Sequence, residues 1–281
     1  MTRRRLSGGK LAWMCLWLAA CLQPAAAPPA PLTEALLSQA RVWSDAQDAT
    51  VYARAELDRI AGRIRALHER EPATDMHTLL RRVVFEEYKF VREVDDPSLQ
   101  FVFLPSVLKA RRGSCVGLGS LVLALGERLG LDMHGVLVPG HFFVQLRVHG
   151  ALHNVELLRE GQELPDAWYR ERWPITSASH AYARPLRAAE VEAVLLFDIG
   201  NDRKRAGAYK QAERAFSQAA ERFPQFAEAH ASAGSVAHML GALERARAAY
   251  AAARAADPSL AGLEQNVALL ESELSAAGAK Q

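Results

Sequence analysis

Three residue types stand in the chain order that nucleophilic catalysis needs. Cys115 follows a Gly-Ser turn and opens an apolar run, residues 116–130, whose spacing is helical. A cysteine there sits among the unpaired N–H groups of a helix start, at the positive end of the helix dipole, which favours thiolate over thiol. Arg111 and Arg112 lie close by in sequence and would add to this. His141 heads a strand-like stretch, FFVQLRV over 142–148. An imidazole beside a sulfur can take its proton and return it to a leaving group. A third group should orient that imidazole. On the return strand, LHNVELL over 152–158, Asn154 and Glu156 project to one face because side chains alternate with period two. Either one suits the third role. The competing reading makes Cys115 a small buried hydrophobe.

The elements that must carry these residues are short and regular. Thr33 is the expected cap of a first helix running to Trp43. A second spans Asp48 to His68, with Leu57, Ile60, Ile64 and Leu67 on one face, and a third spans Asp75 to Val94. A short strand at 135–138 precedes the hairpin, whose turn is flanked by His149 and His153, read as surface residues. No His/Cys spacing resembles a zinc motif and no EF-hand loop is visible, so no metal or cofactor is expected.

The chain has 281 residues, 50% of them hydrophobic, a net charge of +2 and three cysteines. Three cysteines cannot build a disulfide scaffold, and a near-zero charge gives no case for nucleic acid. The positive charge belongs to the N-terminus. Arg3, Arg4, Arg5 and Lys10 precede ten apolar residues, 11–20, too short to span a membrane but fitting a signal peptide. Without residues 1–20 the net charge is −2. The run ends in Leu18-Ala19-Ala20-Cys21, which resembles a bacterial lipobox. That resemblance implies a lipidated Cys21 and a protein held on a membrane, the outer membrane given Leu22 rather than Asp after it. The alternative is an ordinary signal peptide cut near residues 25–27. A Pro- and Ala-rich tether over 21–32 follows.

Residues 193–226 align with 227–260 at a period of 34. Gly200 falls on Gly234, Gly207 on Gly241, Ala212 on Ala246, Phe216 on Tyr250, Ala219 on Ala253 and Pro224 on Pro258. This resembles the tetratricopeptide repeat, in which small residues let paired helices approach and an aromatic fills the gap. Arg203 and Leu243 depart from the pattern, and 261–276 reads as a capping helix. Two repeats are few for a free solenoid, so they must lean on the preceding domain or on a partner.

The stretch VLKARRGSCVGLGSLVLALGERLGL, followed by GVLVPGHFFVQL, resembles the transglutaminase-like superfamily in its SirB-type branch. The resemblance covers roughly 55–190 and is strongest over 104–161. It implies an α+β, papain-like fold, with a helical lobe carrying the cysteine against a small antiparallel sheet carrying the histidine. It also implies Cys115 as nucleophile and His141 as base. Glu156 stands five residues before Gly161, where many relatives have Asp, whereas Asn154 would serve as in a papain-type set. The resulting expectation is a signal peptide (1–20), a tether (21–32), a transglutaminase-like domain (33–190) and two repeats with a capping helix (193–276). The implied function is a lipid-anchored cysteine enzyme of the bacterial envelope acting on amide bonds, with the repeats binding a protein or peptide. The alternative is an inactive scaffold whose repeats mediate protein–protein interaction.

Overall fold

The computed structural model describes residues 31–44, 49–148, 150–176 and 179–278. The expected signal peptide, Cys21, the expected tether up to residue 30 and His149 lie outside them. Helix α1 (Leu32–Trp43) starts directly after Pro31. Its first N–H groups are closed from a distant element: the Glu127 carboxylate accepts the Leu32 and Thr33 N–H at 2.9 and 3.0 Å. Thr33 is therefore inside the helix and not its cap, and Leu32 is helical where a tether was expected. Helix α2 (Ala49–Arg70) buries Leu57, Ile60, Ile64 and Leu67 as one stripe.

Helix α3 (Met76–Arg81) is capped by Asp75, whose carboxylate accepts the Thr78 N–H at 2.8 Å. The helix expected to reach Val94 stops early. A π-helical turn takes over at Arg82–Glu87, and Lys89, at φ +58°, turns the chain out. Strand β1 (Val91–Arg92) follows instead and pairs in parallel with β2 (Arg112–Gly113).

Helix α4 (Leu104–Ala110) ends at Arg111, which is left-handed at φ +51°. After β2, Ser114 caps α5 (Cys115–Leu129) by accepting the Gly117 N–H at 3.2 Å. Helix α5 is buried continuously from Val116 to Gly126, as its near-continuous apolar sequence requires. It packs against α1, α2 and α4 and against an antiparallel sheet ordered β3 (Met133–Val138), β4 (His141–Val148), β5 (Ala151–Glu156), β6 (Gln162–Glu163). The return strand ends at Glu156, two residues earlier than expected. There Glu156 caps a 3-10 turn, accepting the Leu158 N–H at 2.9 Å.

The contact between α5 and the sheet is set by one ring. A Cβ on Gly119 would lie 2.4 Å from the Phe142 ring, and one on Gly135 would lie 2.5 Å from it. Phe142 thus fits only because α5 and β3 each have a glycine facing it. It brings the head of β4 onto the start of α5.

Helix α6 (Asp166–Arg172) leads to five helices: α7 (Ala188–Arg205), α8 (Tyr209–Arg222), α9 (Ala227–Met239), α10 (Leu243–Ala256) and α11 (Leu263–Gly278). Helix α7 runs through the boundary expected between 190 and 193. Glu190 starts it, with a buried carboxylate that accepts the Arg187 N–H at 2.8 Å and pairs with Arg184. The repeat glycines do what their spacing requires. A Cβ on Gly200 would meet the Phe216 ring at 2.5 Å, and one on Gly234 would meet the Tyr250 ring at 2.7 Å. The first repeat leans on the preceding domain, since the core around α5 continues into Val194, Leu195, Ile199, Phe223 and Phe226. The second builds a separate core with α11, around Tyr250, Leu263 and Leu270. No helix among the described residues is long and apolar enough to cross a membrane.

Gly119→Ala should destabilise the protein by about 1–3 kcal/mol, because the new methyl overpacks a buried ring. Gly62→Ala, with nothing within 4 Å of the added Cβ, should be neutral or stabilising by about 0.5–1 kcal/mol. Urea denaturation midpoints of the two variants check this, and a wild-type midpoint for Gly119→Ala would contradict the wedge.

Candidate active site

Cys115 is the first residue of α5 and lines a cavity of about 400 Å³. Gly140, His141 and Phe142 line it from the head of β4. His141 is buried, and its Nε2 lies 2.9 Å from Glu156 Oε2. The other Glu156 oxygen accepts the Leu158 N–H. Both carboxylate oxygens are therefore held, in a residue with 0% exposure. With Nε2 on Glu156, Nδ1 is the nitrogen left for exchange with the cavity. Trp173 stacks on the His141 ring at 3.9 Å between centroids, 10° from parallel. Tyr169, whose ionisation is opposed by burial and by the Glu156 carboxylate, stacks in turn on Phe143 at 3.9 Å. The imidazole is thus fixed both in plane and along its face.

Strand register selects between the two expected orienting residues. Gln145 stands opposite Asn154, and Val144 opposite Val155. Glu156 therefore lies level with Phe143, two residues nearer His141 than Asn154 is. Asn154 instead accepts from Gln145 Nε2 at 2.8 Å and donates to the Leu164 carbonyl and to Asp166 at 2.9 and 2.8 Å. It ties β5 to the start of α6 and does not touch His141. His153 pairs with Glu163 across β5 and β6 at 2.9 Å, away from the cavity.

The expected preformed thiolate is corrected by the surroundings of the sulfur. Burial is the largest influence and, with the Asp198 carboxylate next, pushes the Cys115 thiol up to about 12. The Phe142 and Val116 N–H groups pull the other way and are outweighed. The two arginines give no help. Arg111 donates to the Tyr88 carbonyl at 3.1 Å, and Arg112 pairs with Glu93 at 2.5 Å. The balance favours the thiol over the thiolate.

Several site residues carry little signal in the sequence. Trp173 and Tyr169 come from the aromatic-rich stretch DAWYRERW, where their density is the only local signal. Asp198 and Asn201 come from α7 and Glu228 from α9, so the repeat region forms one wall of the cavity. The visible signal for Asp198 is an acid inside the apolar run VLLFDIG. Its burial pushes the carboxyl up to about 7. Among the described residues, no group of three or more His, Cys, Asp or Glu is arranged to hold a metal ion.

Comparison with known proteins agrees with this architecture. Residues 52–193, half of the chain, match the transglutaminase-like superfamily, and residues 197–261 match the tetratricopeptide repeat. A UPF0162 protein of Vibrio cholerae is 35% identical over 86 residues, which are 30% of this chain and 31% of that protein. The matched stretch thus spans less than a third of that relative. Among solved structures, a crystal structure of menin, described as revealing the binding site for the Mixed Lineage Leukemia (MLL) protein, aligns with 79% of this chain and 68% of that one. The TM-score is 0.38 and the identity 15%. With half of its length matched, and with a helical lobe, a small antiparallel sheet and a following repeat region, the chain belongs to the transglutaminase-like superfamily.

Proposed function

We propose that this protein is a membrane-tethered cysteine enzyme that acts on amide bonds as a protease, deamidase or amidotransferase. One observation carries the reading: a buried His141–Glu156 pair at 2.9 Å, in the wall of the cavity that Cys115 also lines. His141 takes the Cys115 proton, and Glu156 stabilises the imidazolium that results. The sulfur attacks the carbonyl carbon. The oxyanion is received by the Cys115 N–H at the start of α5, whose neighbours are engaged by the sulfur and by Ser114. His141 then returns the proton to the leaving amine, giving a thioester on Cys115. Water as acceptor gives hydrolysis, and an amine gives transamidation. The repeats bind the substrate or a protein partner.

The leader and Cys21 support a lipid anchor on the bacterial outer membrane, facing the periplasm. Envelope proteins and peptidoglycan peptides would supply amides there. One feature favours the second reading, an inactive scaffold: the surroundings of the Cys115 sulfur favour the thiol over the thiolate.

Three outcomes test these readings. Incubated with glutamine- and asparagine-containing peptides, with and without a primary amine, the protein should yield cleaved, deamidated or crosslinked products by mass spectrometry. Cys115→Ala should yield none, and His141→Ala about 10²–10⁴-fold less. Identical spectra for wild type and Cys115→Ala would leave the scaffold reading standing. Second, iodoacetamide alkylation of Cys115 should rise by about tenfold per pH unit through the neutral and mildly alkaline range, since only the thiolate reacts. Asp198 is a negative neighbour that raises the thiol pKa, so Asp198→Asn should move the curve to lower pH; an unmoved curve would mean that its charge is not felt at the sulfur. Third, Cys21→Ser should shift the protein from the membrane pellet to the soluble fraction on fractionation. Retention in the pellet would contradict the anchor.

A further inference from the structure

We propose that the repeat region completes the active-site cavity as a cation-binding wall, in which Asp198 and Glu228 select an acyl donor bearing an ammonium or guanidinium group near its reacting carbonyl. The inference rests on the cysteine-enzyme reading and names the substrate class of that site.

The wall is acidic. Asp198 from α7 and Glu228 from α9 both line the cavity, and no Lys or Arg among the described residues lines it. Asp198 makes no hydrogen bond among the described residues. Arg205, the one positive charge acting on it, donates instead to the Pro97 carbonyl at 2.9 Å. Glu228 accepts the Tyr182 hydroxyl on one oxygen, while its other oxygen is buried without a partner. A buried, unpaired carboxylate oxygen is costly and calls for a donor. Phe197 and Phe226 line the same cavity and tilt against each other at 4.8 Å. They offer an apolar surface to the methylenes, and an aromatic face to the cationic head, of a lysine- or arginine-like chain.

The order of chemical events assigns the cation to the acyl donor. Asp198 opposes ionisation of Cys115. A positive group arriving with the donor offsets that opposition before attack, when the thiolate is needed. An acceptor amine enters only after the thioester has formed, too late to assist. A donor of the right charge therefore favours the thiolate at the moment of attack.

Matched thiol reagents test the wall without a known substrate. Cys115 in the full chain is treated with 2-aminoethyl methanethiosulfonate, a cation, or with neutral ethyl methanethiosulfonate. In both, the sulfur displaces methanesulfinate and forms a disulfide. Rates at the Cys115 peptide are read by mass spectrometry and normalised to each reagent's rate with a free thiol. The cationic reagent should be favoured on the order of tenfold. Asp198→Asn and Glu228→Gln should each bring the ratio toward one, and His141→Ala should leave it in place. A ratio of one in the wild type, or a preference that survives both acid substitutions, would overturn the proposal. Products in the peptide experiment together with a ratio of one would sink the cation wall alone. Absence of products would instead remove the enzyme reading beneath it.

Discussion

The hydrogen bond between His141 and Glu156 is the interaction on which the rest of the site depends. A carboxylate with no exposure is tolerable only if its oxygens are taken up, and here one goes to an imidazole and the other to a backbone N–H. That requirement fixes much around it. Strand β5 must stop at Glu156 so that the following turn can present the Leu158 N–H. The β4–β5 register must set Glu156, and not Asn154, beside the histidine. Helix α6 must come close enough for Trp173 to cover the ring. The Phe142 wedge then carries this assembly onto α5 and gives His141 and Cys115 a common cavity.

Two opposing effects meet at the Cys115 sulfur. A helix start favours the thiolate through its N–H groups and dipole. Desolvation and the Asp198 carboxylate favour the thiol, and they win. The stabilisation available from one helix terminus is about 0.3–1 kcal/mol when exposed and up to about 2 when partly buried. Full desolvation of an ionised group shifts its pKa by up to about 3–5 units, a larger effect. Ionisation of Cys115 is therefore sensitive to the charge of what enters the cavity. The repeat region takes part directly, since Asp198 comes from its first helix.

Elements defined by local spacing were legible in the sequence. The glycine and aromatic positions of the repeats, the apolar helix after Cys115 and the alternation in the hairpin all depend on neighbours within a few residues. Features fixed by distant packing were not. Period two put Asn154 and Glu156 on one face, and only the strand register separated them. Trp173 and Asp198 reach the site from elements 32 and 57 residues beyond His141 in the chain, with no spacing rule to connect them. The break in the expected third helix comes from a π turn and a left-handed Lys89, with neither glycine nor proline to announce it. The thiol's protonation state followed from burial, which a helix-start argument does not contain.

The central claim is that Cys115, His141 and Glu156 act as one proton-transfer unit. Its most direct test is a double-mutant cycle on Cys115 alkylation at fixed pH, comparing wild type, His141→Ala, Glu156→Gln and the double variant. Residues acting as a unit are non-additive. Each single change should slow the reaction, and the double variant should be no slower than His141→Ala alone. Equal rates for all four proteins would show that the sulfur does not exchange its proton with this pair, and would contradict the account.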